Sequence, residues 1–128
     1  MSRHPSASPS TPLAVALDAI LIVVFAAIGR ESHGQEWTGA METATPFLLG
    51  GVVGWLIWWA VRRSAPTGLV AGVVVWLSTV VVGMIVRQLT DQGTATAFVI
   101  VSLVVTGVLL LGWRALALLL ARRSRTRS

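Results

Sequence analysis

The stretch from Gly68 to Arg87 constrains the fold of this chain most, because it carries no charge before its last residue. An α-helix over this stretch rises about 30 Å, which matches the hydrocarbon core of a bilayer. Further apolar segments accompany it, and the sequence predicts four membrane spans at about residues 13–30, 45–61, 68–87 and 94–120. We therefore expect an all-α integral membrane protein with four transmembrane helices in a compact bundle.

The two halves of the chain are similar where their second helices begin. The segment Thr43–Phe47 opens the second helix and Thr94–Phe98 opens the fourth, and both contain Thr-Ala-Thr and Phe. Two tandem helical hairpins in the same orientation would explain the similarity. Chance matching in a chain rich in Ala, Thr and Val is the alternative.

The composition excludes several classes of site. The chain has no cysteine, so disulfides, cysteine-bound zinc, iron–sulfur clusters and thiol catalysis are excluded. Only 12% of its residues are charged, against about a quarter in soluble domains. No nucleophile-elbow, zinc-peptidase, phosphate-loop or dinucleotide motif occurs. We expect no catalytic residue, no bound metal and no cofactor, and thus a protein that is not an enzyme.

The arginines indicate the orientation in the membrane. All ten basic residues are Arg, which is typical of a GC-rich bacterial genome. Those in the tails and in the 62–67 loop fall on one side, whereas the acidic residues Glu31, Glu36, Glu42 and Asp91 fall on the other. The positive-inside rule then places both termini in the cytoplasm, with residues 1–12 as a disordered tail and residues 121–128 as a basic tail. The location expected is the bacterial cytoplasmic membrane.

The same arginines indicate a lipid partner. At a membrane surface each cation gains about 1 kcal/mol from anionic lipid, so the sequence favours the bilayer and its anionic headgroups over nucleic acid. The predicted headgroup contacts are Arg62, Arg63, Arg122, Arg123, Arg125 and Arg127. The tryptophans near the span ends are predicted as interface anchors: Trp37, Trp55, Trp58, Trp59 and Trp113.

Small residues at helical spacing predict where helices pack closely. The second span contains Gly50-x-x-x-Gly54, and the third carries a face of small residues. This second face comprises Gly68, Gly72, Thr79 and Gly83. Such faces suit either neighbouring helices of the bundle or the helices of another protein.

Two charges lie within the predicted spans. Asp18 is about 7 Å and Arg114 about 9 Å from the same side, at 1.5 Å per residue. These similar depths predict an intramembrane ion pair. The pair would fix the helix register, unless Arg114 simply extends towards water. Alternatively Asp18 is a site for a proton or a cation.

A second group of polar residues is predicted at the outer face, formed by Arg30, Glu31, His33 and Arg87. Cations at helix C-termini are favourable by themselves, so helix-dipole complementation and surface pairing explain the arginines. An anion-binding or partner-docking site is the alternative. His33 is interpreted as an ordinary loop residue rather than a metal ligand.

The chain resembles a known family in the order of its short motifs. These are Ile28-Gly29-Arg30, Ser32-His33, Pro46-Phe47, the helix end from Gly83-Met84 to Arg87, and Gly112-Trp113-Arg114. It is similar to small four-helix bacterial and archaeal membrane proteins of unknown function, over roughly residues 13–118. The resemblance implies four spans and no assigned activity, and it suggests testing Asp18, Arg30, His33, Arg87 and Arg114.

Two functions follow as hypotheses. The first is a protein that acts through helix–helix association, as an oligomer or as an accessory subunit of a membrane assembly. The second is a small proton- or ion-coupled transporter or channel in which Asp18 carries the proton or cation and Arg87 or Arg30 meets an anion.

Overall fold

The structure, a computed structural model, describes residues 11–31 and 37–127, and within them every regular element is an α-helix. The helices are α1 (Thr11–Glu31), α2 (Trp37–Arg62), α3 (Leu69–Leu89) and α4 (Thr96–Arg127). Each contains a stretch long and apolar enough to cross a membrane. The expected all-α fold with four membrane-spanning helices is confirmed.

Two helix bounds differ from the predicted spans. Helix α2 begins at Trp37 rather than near residue 45, and it continues through Pro46, which is fully buried. Thr45, where the second span is predicted to begin, lies inside this helix, and its hydroxyl donates to the Met41 carbonyl one turn earlier, at 2.8 Å. Helix α4 continues to Arg127, so most of the predicted basic tail is helical. Residues 1–10 of the other predicted tail lie outside the described residues.

Neighbouring helices are antiparallel and pack in chain order. Helix α2 lies between α1 and α3, with its most extensive contact to α3. Helix α3 also packs on α4, and α4 closes the bundle with a smaller contact to α1. The arrangement fits an up-down bundle, and the duplication of its two hairpins stays a prediction.

Glycines bring α2 and α3 into backbone contact. A Cβ at Gly50 would lie 2.6 Å from the Thr79 carbonyl oxygen, and one at Gly54 would lie 2.9 Å from Val75 Cα. The Ser78 hydroxyl donates to the Gly50 carbonyl at 2.9 Å across the same contact. The small-residue face of α2 is therefore covered by α3, inside the bundle.

The small-residue face of α3 also points into the bundle, but it is shorter than predicted. A Cβ at Gly72 would lie 2.6 Å from Arg114 Cδ, and one at Gly83 would lie 2.7 Å from the Phe47 ring. Thr79, between them, is fully buried. The prediction that Gly68 belongs to this packing face is corrected. Gly68 is exposed and precedes α3, and a Cβ there would meet no atom within 4 Å.

All three phenylalanines meet at the end of the bundle where α1 and α3 finish. The ring centroids of Phe25 and Phe47 are 5.2 Å apart in an edge-to-face arrangement, and Phe98 lies 6.3 and 6.0 Å from them. The Arg87 guanidinium lies over the Phe98 ring at 4.3 Å. We call these three rings the phenylalanine cluster.

Candidate functional site

Every fourth residue of α1 and of α4 points into the bundle. On α1 the buried series is Ala14, Asp18, Ile22 and Ala26, and on α4 it is Ser102, Thr106, Leu110 and Arg114. Residues four apart lie on one face of an α-helix, so each series forms a continuous inner stripe. One charged residue lies on each stripe, near the same end of the bundle.

Asp18 and Arg114 form a two-pronged ion pair. Arg114 Nη1 donates to Asp18 Oδ1 and Arg114 Nη2 donates to Asp18 Oδ2, both at 2.8 Å. Both side chains have 0% exposure. Paired, parallel N–H···O bonds of this kind are the strongest geometry for arginine and carboxylate.

Two tryptophans complete the surroundings of the carboxylate. Trp55 of α2 donates its indole N–H to Asp18 Oδ2 at 2.9 Å, and Trp113 of α4 donates to Asp18 Oδ1 at 2.8 Å. Each carboxylate oxygen therefore accepts two hydrogen bonds. The prediction of Trp55 and Trp113 as interface anchors needs correction, because their polar edges point inward to the carboxylate.

The remaining donors of Arg114 bind backbone carbonyls. Nε and Nη2 donate to the Pro66 carbonyl at 3.2 and 2.7 Å, and Nη1 donates to the Leu110 carbonyl at 2.8 Å. A guanidinium has five N–H groups, and all five of them now have acceptors. We call Asp18, Trp55, the Pro66 carbonyl, Trp113 and Arg114 the Asp18–Arg114 network.

The network joins three helices and a connection. Asp18 belongs to α1, Trp55 to α2, Arg114 to α4, and Pro66 lies between α2 and α3. Helix α3 leaves room for the Arg114 side chain at Gly72. A Cβ at this position would collide with the Arg114 side chain. Chemically the network holds a charge pair in place. Its hydrogen bonds use every N–H of Arg114 and two lone pairs on each carboxylate oxygen.

Arg87 has a comparable holding role at the other end. Its Nε donates to the Gly93 carbonyl at 2.9 Å, and Nη2 and Nη1 donate to the carbonyl and side chain of Gln92 at 3.0 and 3.2 Å. These bonds tie the α3–α4 connection to the end of α3. Of the predicted outer-face group, His33 lies outside the described residues, as do the side chains of Arg30 and Glu31.

The end of the bundle beside the network is basic. Arg62, Arg63, Arg122 and Arg123 are exposed there, at the ends of α2 and α4. The Arg62 guanidinium lies 5.4 Å from the Trp58 ring centroid, and Trp59 is 51% exposed. The side chains of Trp37, Arg125 and Arg127 are outside the described part. Among the residues that are described, no group of three or more His, Asp or Glu side chains could hold a metal ion.

Three members of the network are not predicted from the sequence. The sequence pattern places Trp55 and Trp113 at the membrane interface, and it does not indicate the Pro66 carbonyl. The sequence does contain a signal that both tryptophans lie near the ion pair. Trp113 adjoins Arg114, and Trp55 lies seven residues before Arg62, which puts it near the depth of Asp18. A backbone carbonyl acceptor leaves no comparable mark in a sequence.

The comparisons with known proteins give one match. A family model described as "Protein of unknown function (DUF3054)" matches residues 15–117, which include the whole Asp18–Arg114 network. No curated protein and no solved structure matches the chain.

Proposed function

The chain belongs to the DUF3054 family of proteins of unknown function, and we propose that it acts through association with other membrane helices. It is then a non-enzymatic multi-pass membrane protein, working as an oligomer or as an accessory subunit of a larger assembly. The observation that carries this proposal is the closed Asp18–Arg114 network. Its buried charges bind one another and the bundle, which suits a rigid scaffold better than a reaction site.

The surface for association is the outer face of the bundle. Apart from the exposed Gly68, the glycines of the two predicted small-residue faces pack against neighbouring helices of the bundle, so they serve the fold rather than a partner. Between 22% and 33% of the residues in each candidate span are buried inside the bundle, and the others are half-buried or exposed, which leaves apolar surface for lipid or another protein. Gly112 of α4 is exposed with open space around it, and a small residue at such a place allows another helix to approach closely.

The exposed arginines support the orientation proposed with this function. Arg62, Arg63, Arg122 and Arg123 lie at one end, where they would meet anionic lipid headgroups on the cytoplasmic side of a bacterial membrane. The association then takes place within the bilayer, and the basic end sets the position of the bundle relative to its surface.

Transport is the second candidate, and a specific observation favours it. Asp18 is a fully buried carboxylate in a membrane-spanning helix, and such groups are commonly part of ion or proton pathways. To take up a proton, however, Asp18 must give up at least one of the four hydrogen bonds that it accepts, two from Arg114 and two from tryptophans. Because every lone pair of the Asp18 carboxylate already accepts a hydrogen bond, we rank transport below association.

The association is tested by purification in mild detergent with native mass analysis of wild type and Gly112→Leu. Leucine at residue 112 blocks close approach, so we expect about a tenfold weaker assembly, equivalent to about 1.4 kcal/mol. Gly68→Leu is the matched control, because Gly68 is also exposed with open space around it but lies outside the helix. The control is expected to assemble like wild type.

A monomeric wild-type protein would contradict the association proposal. A transport assay then tests the second candidate function. Purified protein in liposomes is assayed for pH-driven flux, with folded Asp18→Asn as the comparison. Flux that this substitution abolishes supports a transporter, and equal assembly of wild type and Gly112→Leu would remove Gly112 from the interface.

A further inference from the structure

Within the part of the chain that the structure describes, two hydroxyl groups inside the bundle have no hydrogen-bond partner. Thr79 of α3 and Ser102 of α4 are both 0% exposed, and the side-chain oxygen of each lacks a partner. Leaving a buried hydroxyl unsatisfied costs about 1–3 kcal/mol, so such groups are normally bonded to protein or to an ordered water. The Asp18–Arg114 network does not use either of them.

The register of α3 and α4 puts the two residues at the same depth. Gly72 packs against Leu111 and Arg114, and one turn further along α3 the Trp76 indole donates to the Leu103 carbonyl at 2.9 Å. Continuing these two antiparallel contacts along the helices brings Thr79 opposite the stretch from residue 100 to residue 104, which has Ser102 at its centre. Ser102 belongs to the inner stripe of α4, so its side chain lies in the interior of the bundle.

The surroundings of this pair are closed at both ends. Towards the Asp18–Arg114 network lie the buried side chains of Ile22, Val75 and Leu110, and towards the other end lies the phenylalanine cluster. Thr106, one turn from Ser102, already donates its hydroxyl to the Ser102 carbonyl. The two unpaired hydroxyls are thus polar groups between two apolar layers.

We propose that Thr79 and Ser102 hold one water molecule at the centre of the bundle. A water has two donors and two acceptors, so it satisfies both hydroxyls at once and needs no counter-charge. The site is an occluded place for a small neutral hydrogen-bonding molecule, halfway between the two ends. This inference is independent of the association proposed above.

The first test is proton-detected solid-state NMR of the protein in bilayers, with magnetisation transferred from water to protein. We expect a water contact at Thr79 and Ser102, and we expect it to disappear in both Thr79→Val and Ser102→Ala. Thr106→Val is the control and keeps the contact, because the Thr106 hydroxyl binds a carbonyl of its own helix. Absence of the contact in wild type, or its survival in both variants, overturns the proposal.

The second test is a double-mutant cycle on unfolding. A bridging water couples the two residues, so the double variant is expected to depart from additivity by on the order of fivefold in the unfolding equilibrium constant. Strict additivity means that each hydroxyl instead bonds its own helix, and the proposal fails.

Discussion

Arg114 illustrates how a full charge is accommodated within a membrane-spanning helix. Its five N–H groups bind two carboxylate oxygens and two backbone carbonyls, and its guanidinium lies 4.5 Å from the Trp113 ring centroid. A buried charge pair is not necessarily more stable than apolar residues of the same size, but breaking it by removing one partner is costly. We therefore expect the network to specify how α1, α2 and α4 meet more than it adds to stability.

This reasoning predicts the effect of removing one charge or both. Asp18→Leu leaves Arg114 buried without its counter-ion and should lower the free energy of unfolding by about 3–5 kcal/mol. Combining it with Arg114→Met removes the uncompensated charge, so the double variant should be more stable than Asp18→Leu alone. Unfolding in a denaturing detergent titration measures both, and a double variant less stable than the single one would contradict the account.

The depths of Asp18 and Arg114 follow from the sequence alone, since counting residues from the span ends puts both near the same membrane surface. The rest of the network does not follow in this way. Whether an indole N–H points to lipid headgroups or into the bundle depends on how the helices are rotated and crossed. In the sequence, nothing distinguishes Trp55 and Trp113 from Trp59, which is exposed in the structure.

The contact between α2 and α3 depends on the absence of side chains at two positions. Gly50 and Gly54 let the α2 backbone lie directly on α3, and Ser78 donates a hydrogen bond across the contact. In lipid no hydrophobic force drives two helices together, so close van der Waals packing and such hydrogen bonds stabilise the pair. The spacing of the glycines predicts such a face from sequence. The partner helix that covers it is a property of the folded bundle.

Two neighbouring glycines allow a matched test of this contact. Gly50→Ala places a methyl group 2.6 Å from the Thr79 carbonyl oxygen, where only backbone movement relieves the clash, so we expect a loss of about 1–3 kcal/mol in unfolding free energy. Gly51→Ala places it 3.2 Å from Ile22 Cδ1, the flexible end of a side chain. Thermal unfolding in detergent should show the larger loss for Gly50→Ala, and equal losses would argue against backbone contact.

The start of α2 shows where local signals were insufficient. Thr45 and Pro46 fit the pattern of a helix start, because proline lacks the N–H that the first turn leaves unpaired anyway. Within α2 the same proline removes only one backbone hydrogen bond, and the Thr45 hydroxyl instead binds the carbonyl of Met41. A single-sequence pattern cannot separate these cases, because the buried packing of Pro46 and Phe47 is decided by the other helices.

Viewed as a complete bundle, the protein has chemically different ends. One end has the Asp18–Arg114 network with exposed arginines beyond it, and the other has the phenylalanine cluster with Arg87 over one ring. Four antiparallel helices bring the start of α1 and the end of α4 to the basic end. This polarity of charge underlies the proposed orientation.

The orientation is directly testable because the chain contains no cysteine. Ser64→Cys lies in the α2–α3 connection and Ala95→Cys in the α3–α4 connection, and both positions are exposed. With the basic end in the cytoplasm, a membrane-impermeant thiol reagent added to intact cells should label Ala95→Cys, and Ser64→Cys only after permeabilisation. The opposite labelling pattern would reverse the proposed orientation.

The Asp18–Arg114 pair also has a consequence for how the protein is made. Its members are separated by 96 residues, in the first and the last helix. At a synthesis rate of about 5–20 residues per second, the carboxylate leaves the ribosome on the order of ten seconds before its arginine. During that interval the three earlier helices contain an acid with no cation beside it. The Asp18–Arg114 network can therefore close only after the final helix has joined the other three.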